Sequence, residues 1–151
     1  MQPSPPNGIR LPKANDTMGV RWIWENEEQT IVRFTFVDPW SWEDFLTANA
    51  EAGDIVANLN HVVDAIFDFR AGGNLPLGAI SVFGTAGQKS LETPTEGLTV
   101  VIGMNSFMRT MYNVIVRIHP ELKTIVRIAS DDDEALAIIA TAHLEILDSD
   151  S

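Results

Sequence analysis

The chain has 151 residues, 45% of them hydrophobic, so it is long enough for one well-buried core and too short for two ordinary domains. Its 10 Lys and Arg residues stand against 21 Asp and Glu residues, a net charge of -11, which disfavours binding to nucleic acid or to an anionic membrane. The absence of cysteine excludes disulfides, thiolate nucleophiles and zinc–thiolate sites, and is typical of a cytoplasmic protein.

The N-terminal segment is rich in proline, with prolines at positions 3, 5, 6 and 12 among polar residues. Such a segment buries too little apolar surface to order itself, so we expect a flexible arm over residues 1–16. A single domain is predicted for residues 17–148, followed by a short tail at 149–151. The sequence contains no apolar run of the length of a membrane span or a signal core, so we expect no membrane span and a cytoplasmic location.

Two alternating apolar stretches flank the polar segment "ENEEQ" and predict an antiparallel hairpin. Their apolar positions are Val20, Trp22, Trp24, Val32, Phe34 and Phe36. After the hairpin, the spacing of the apolar residues changes to that of a helix. Ser41, with Asp44 three residues later, predicts the N-cap of a first helix that ends near Asn60.

The next elements alternate between strand and helix. Residues 62–69 are apolar on both faces, which is typical of a strand covered on both sides. The second helix is predicted to include Leu77, to use Gly84 and Gly87 for a close approach to the sheet, and to stop before Pro94.

The last third of the chain repeats the alternation. A strand over 97–104 precedes a helix capped by Asn105–Ser106 and ended by Pro120. The stretch "KTIVRIA" predicts a fifth strand, and Ser130 is expected to cap the last helix. The predicted fold is therefore α/β, with a mixed sheet of about five strands and about four helices.

This order of elements, from Met18 to Leu147, resembles the STAS domains of bacterial anti-sigma-factor antagonists, and more closely the small bacterial proteins grouped as STAS-like. CRAL-TRIO domains share a broadly similar outline. The motif positions that match are Trp40, Trp42, Glu43, Phe45, Asp68, Arg70, Asn105, Phe107 and Arg109. The resemblance implies a non-enzymatic protein-interaction or regulatory module.

The antagonists carry a phosphorylatable Ser or Thr just before the second helix. Here that turn is "RAGGNLPLGA", with no Ser or Thr between Arg70 and Ala79, so the phosphorylation switch does not carry over. The glycines also match no dinucleotide or P-loop pattern. Instead, Gly72–Gly73 predicts a turn that needs positive φ.

Helix N-termini beside the carboxyl ends of parallel strands form a natural crevice. The residues expected to converge there as a ligand site, with the arginines binding an anion, are Asp68, Arg70, Asn74, Asn105, Ser106 and Arg109. The alternative is structural, because Asp68 and Arg70 lie on one side of a strand and can form a mutual ion pair. The ligand-site interpretation leads to an alternative function, a small-molecule or lipid-binding domain that uses this crevice.

The second and third helices carry more apolar residues than one sheet contact needs, which favours a surface for a protein partner or a homodimer. The candidates are Val82, Phe83, Met108, Met111 and Tyr112. We expect no metal site, because His61, His119 and His143 lie in no ligand pattern. No catalytic motif is present, so neither an enzyme nor a cofactor is expected.

Overall fold

A computed structural model describes residues 19–150, and the side chains of residues 19–145. The arm predicted for residues 1–16 lies outside the described residues. So does residue 151 of the predicted tail. Residues 149 and 150 continue the last helix.

Within the described residues the chain forms five strands, four α-helices and a 3₁₀ turn. In chain order they are β1 Gly19–Trp24, β2 Ile31–Val37, α1 Trp42–Ala57, β3 Val63–Ala71, α2 Ala79–Leu91, β4 Glu96–Ile102, α3 Ser106–Ile118, the 3₁₀ turn Pro120–Thr124, β5 Val126–Ala129 and α4 Asp132–Asp150. The strands follow chain order across one sheet, with β1 antiparallel to β2 and the remaining pairs parallel. The α/β prediction is confirmed.

The two faces of the sheet are covered unequally. Helices α1, α2 and α3 pack on one face, over a core that contains Phe36, Phe45 and Phe69. Helix α4 packs on the other face through Ala135 and Ile139. Among the described residues, no helix combines the length and the apolar character that crossing a membrane requires.

Two predicted helix caps are present. The Ser41 hydroxyl accepts from the Asp44 amide at 3.1 Å, and the Asp44 carboxylate accepts from the Ser41 amide at 3.0 Å. In α3 the Asn105 side chain accepts from the Met108 amide at 2.9 Å. These side chains satisfy amides that the first helical turn leaves without partners, so they fix where both helices begin.

Two helix starts differ from expectation. Leu77 lies before α2, because Gly78 adopts φ 95°, which is outside the helical region. The Leu77 side chain is 97% exposed. In α4 it is the Asp131 carboxylate, and not Ser130, that accepts from the Glu134 amide at 2.8 Å. The cap therefore lies one residue later than predicted.

The glycines of α2 approach a different neighbour from the one expected. A Cβ on Gly87 would lie 2.7 Å from Leu122, and one on Gly84 would lie 3.2 Å from His119. Both contacts are with the chain that connects α3 to β5, and not with the sheet. The missing side chains therefore let α2 pack closely against this connection.

Candidate functional site

The loop of residues 72–78, between β3 and α2, is held by two tryptophans. The Trp40 indole donates to the Gly72 carbonyl at 2.9 Å, and the Trp42 indole donates to the Leu77 carbonyl at 2.6 Å. Trp40 is buried, so its hydrogen bond is shielded from water. Both ends of the loop are thereby fixed to the segment that begins α1.

The middle of the loop is held by polar groups. The Asn105 amide donates to the Gly73 carbonyl at 3.1 Å, and the Asn74 backbone amide donates to the Asp38 carboxylate at 3.3 Å. Asn105 therefore has two roles, since it also caps α3. The glycine-rich loop is therefore fixed to the starts of α1 and α3.

The glycines of this loop are required by close packing. A Cβ on Gly72 would overlap the Phe36 carbonyl, and one on Gly73 would lie 2.8 Å from the Asn105 amide nitrogen. Among the glycines of the loop, only Gly78 has positive φ. The prediction that Gly72–Gly73 needs positive φ is therefore wrong, because the constraint there is space.

We call the edge of the sheet where β3 and β4 end the strand-end rim. An open crevice lies at this rim. Its lining residues are Gly73, Asn74, Leu75, Asn105, Ser106 and Phe107. Three predicted site residues, Asn74, Asn105 and Ser106, are thus brought together. Arg109 is exposed on α3 and, within the described residues, its side chain has no hydrogen bond or ion pair.

Asp68 and Arg70 belong to a different cluster, on the face of the sheet that α4 covers. Arg70 donates to both oxygens of Asp68, at 3.0 and 2.8 Å. Arg33 bonds to Asp68 at 3.2 Å and to Asp132 at 2.7 Å, and it forms a two-pronged pair with Glu25 at 2.8 and 2.9 Å. Arg70 also reaches Asp132 at 3.1 Å. The arginines are thus neutralised by carboxylates of the chain, as in the structural alternative considered for Asp68 and Arg70.

The pairing changes the acidity of the two aspartates. Burial alone would raise the pKa of Asp68, but hydrogen bonds from Arg70 and the charges of Arg70 and Arg33 outweigh it, so that pKa lies below its ordinary value. The hydrogen bond from Arg33 lowers the pKa of Asp132. Both groups are held as carboxylates, and the cluster joins β2, β3 and the start of α4.

Sequence reasoning missed a second polar pair on this face. Asp64 is 2% exposed and accepts from the Leu98 amide at 2.8 Å and from Nε2 of His143 at 2.7 Å. The two residues are far apart in sequence, so no local pattern signals the pair. It fastens the second half of α4 to β3.

The main internal feature is an apolar cavity between the sheet and helices α1, α2 and α3, with a volume of about 160 Å³. Its lining includes Phe34, Phe45, Phe67, Phe69, Leu75, Phe83, Met104, Met108, Met111 and Ile115. Well-packed interiors contain few voids larger than a water molecule, whereas an apolar cavity of about 150 Å³ can bind benzene or xenon. This cavity is therefore large enough for a small apolar guest.

The cavity extends along the sheet. Lining residues on β3 run from Val63 to Phe69, a strand length of about 20 Å. Leu75 lines both the cavity and the crevice at the strand-end rim. The lining residues thus run from the beginning of β3 to the edge where it ends.

Four of the five side chains predicted to form an interaction surface line this cavity. Met108 is only 4% exposed, and Phe83, Met111 and Tyr112 are half-buried; all four line the cavity. Val82 is half-buried and packs against the core. The surplus apolar area noted in the sequence is real, but it surrounds an internal space, and Met108 is not available to a partner at the surface.

Known proteins offer no further guide to the site, because no family model matches the sequence and no curated protein or solved structure matches it significantly.

Proposed function

We propose that this chain is a non-enzymatic cytoplasmic protein that binds a small apolar or lipid-like molecule in the cavity between the sheet and α1–α3. The supporting observation is the cavity itself, whose lining consists mainly of aromatic and aliphatic side chains. This is the alternative predicted from sequence, with the ligand moved from the strand-end crevice into the interior. The STAS-like regulatory role, without the phosphorylation switch, becomes the second candidate.

The entrance that we propose for the ligand is the flank between α1 and α2. Asn49 and Gly53 on α1 and Ser90 on α2 all line the cavity and remain partly exposed. A Cβ added to Gly53 would meet nothing within 4 Å. Space is therefore open beside α1 at this position, where the lining is accessible from outside.

Octan-1-ol is a suitable probe because it is slender, apolar along most of its length and uncharged. We expect it to bind delipidated protein in a saturable manner with one site, to raise Tm, and to change the tryptophan fluorescence. The fluorescence change is expected because the Trp42 ring centroid lies 5.0 Å from that of Phe83, a lining residue. Calorimetric titration gives the stoichiometry, and native mass spectrometry of undelipidated protein tests for a copurifying ligand.

Gly53→Leu should weaken octan-1-ol binding at least fivefold, because the added side chain occupies the open space beside the cavity. Ala50→Leu is the matched control, since residue 50 is exposed on the same helix. The proposal is wrong if wild-type protein shows no saturable binding, or if both leucine variants bind as wild type does.

The second candidate is a protein partner, or a second copy of the chain, bound at the strand-end rim. Two exposed apolar side chains favour it: Leu77, 97% exposed in the loop after β3, and Phe107, 57% exposed in the first turn of α3. Because β3 and β4 are parallel neighbours, both residues lie at the same edge of the sheet. Contiguous exposed apolar surface is typical of interaction sites, and serine variants at both positions test whether these two side chains form such a surface.

Light scattering after size exclusion tests self-association. The expected result is a concentration-dependent dimer that Leu77→Ser together with Phe107→Ser returns to monomer. Leu144→Ser, on α4 and 61% exposed, serves as the control and should leave the dimer intact. A monomer at all concentrations would count against a homodimer.

A further inference from the structure

The charge of the cavity lining is as informative as its apolar character. Among the described residues that line it, none is Lys, Arg or His, and Glu96 is the single carboxylate. A ligand with an anionic group would therefore meet no countercharge. It would meet one like charge, in a protein whose net charge is -11.

Backbone amides near Glu96 do not replace the missing cation. The Leu98 amide donates to Asp64 at 2.8 Å, and the Thr99 amide donates to the Ile125 carbonyl at 2.7 Å. Of helix α2, the first residue in the lining is Phe83, one turn after the helix begins. The Leu98 and Thr99 amides are therefore already engaged within the chain and do not offer an anion a donor beside Glu96.

The lining does contain uncharged polar groups without partners. Within the described residues, the side chains of Asn49, Thr99 and Tyr112 form no hydrogen bond with the chain, yet all three line the cavity. Every buried side-chain nitrogen and oxygen of the described residues has a hydrogen-bond partner. The side-chain polar atoms of Asn49, Thr99 and Tyr112 have none among these residues, so they are not buried and face accessible space. They can donate to and accept from a neutral hydroxyl, ester or amide.

We propose that the cavity selects an uncharged amphiphile, a molecule with one apolar chain or ring system and a neutral polar group, and discriminates against fatty-acid carboxylates. This inference rests on the proposed function and specifies its ligand. The physical reason is that burying an isolated carboxylate without a hydrogen-bonded cation costs far more than burying a neutral group whose hydrogen bonds are met.

Octan-1-ol and octanoate form a matched pair of probes with equal chain length. At pH 7.5 and equal ionic strength, calorimetry should give a Kd for octan-1-ol at least tenfold lower than that for octanoate. Octanoate binding as tightly as octan-1-ol, or more tightly, overturns the inference while leaving the proposed function intact. Absence of binding by both probes overturns the proposed function and the inference with it.

Near-isosteric variants test which groups recognise the polar end. Thr99→Val combined with Tyr112→Phe removes two hydroxyls, and Asn49→Leu removes the amide. At least one of these proteins should bind octan-1-ol threefold or more weakly while binding toluene, which has no polar group, as wild type does. Unchanged octan-1-ol affinity in both proteins overturns the assignment of these side chains.

Discussion

At the scale of single residues, the buried charges on the sheet face that α4 covers are held by partners from distant parts of the chain. Arg33, on β2, bonds to carboxylates from the hairpin, from β3 and from α4, and its side chain is 11% exposed. Asp68 is 13% exposed and accepts from two arginines. A charge buried to this degree stabilises the fold only while its partners remain charged.

Asp68→Asn should lower the free energy of unfolding at pH 7 by about 2 kcal/mol, which is typical of hydrogen bonds to a charged group. Because the pKa of Asp68 is lowered in the folded protein, its contribution is complete above the unfolded value of about 3.9 and is lost as pH falls through the folded value. The difference between wild type and variant should therefore narrow below about pH 4. Urea unfolding of both proteins between pH 7 and pH 3 measures this difference in the free energy of unfolding.

Asp133→Asn is the matched control, because residue 133 is exposed in the first turn of α4 and the substitution changes the charge equally. Its effect should stay within about 0.5 kcal/mol at every pH. Equal effects of the two substitutions, or a constant effect of Asp68→Asn down to pH 3, would show that the ion cluster does not have the role described.

At the scale of elements, local signals predicted what depends on neighbouring residues. The alternation around Trp22 and Phe34 identified the hairpin, and the caps at Ser41 and Asn105 identified two helix starts. The start of α2 was misplaced because Gly78 adopts φ 95° and because a contact with a distant segment holds Leu77 outside the helix. The Trp42 indole donates to the Leu77 carbonyl, and no local sequence pattern predicts that hydrogen bond.

Glycines give a direct test at this scale, since the same substitution should have opposite effects at two positions. Gly53→Ala should raise the free energy of unfolding by about 0.5–1 kcal/mol, because the helix gains propensity and the Cβ meets nothing within 4 Å. Gly72→Ala should lower it by about 2 kcal/mol or more, because the Cβ overlaps the Phe36 carbonyl. Urea unfolding of both variants against wild type decides the matter, and equal signs would contradict this account of the packing.

At the scale of the whole molecule, the central feature is the space that the three helices leave above the sheet. The sequence contained its components, but four of the lining residues, Phe83, Met108, Met111 and Tyr112, were interpreted as part of a partner surface. Whether such residues face outwards or inwards depends on how α1, α2 and α3 are placed relative to one another. That placement follows from many weak contacts and from no single motif, so the cavity could not be predicted from the sequence.

Methyl NMR of protein labelled at methionine and isoleucine tests the central claim most directly. During titration with octan-1-ol, the methyl signals of Met104, Met108 and Met111, which line the cavity, should shift with one common Kd. The signals of Ile102 and Ile139, in the core beneath α4, should stay nearly unchanged. Absence of shifts at the three methionines, or equal shifts on both faces of the sheet, would contradict the assignment of the cavity as the ligand site.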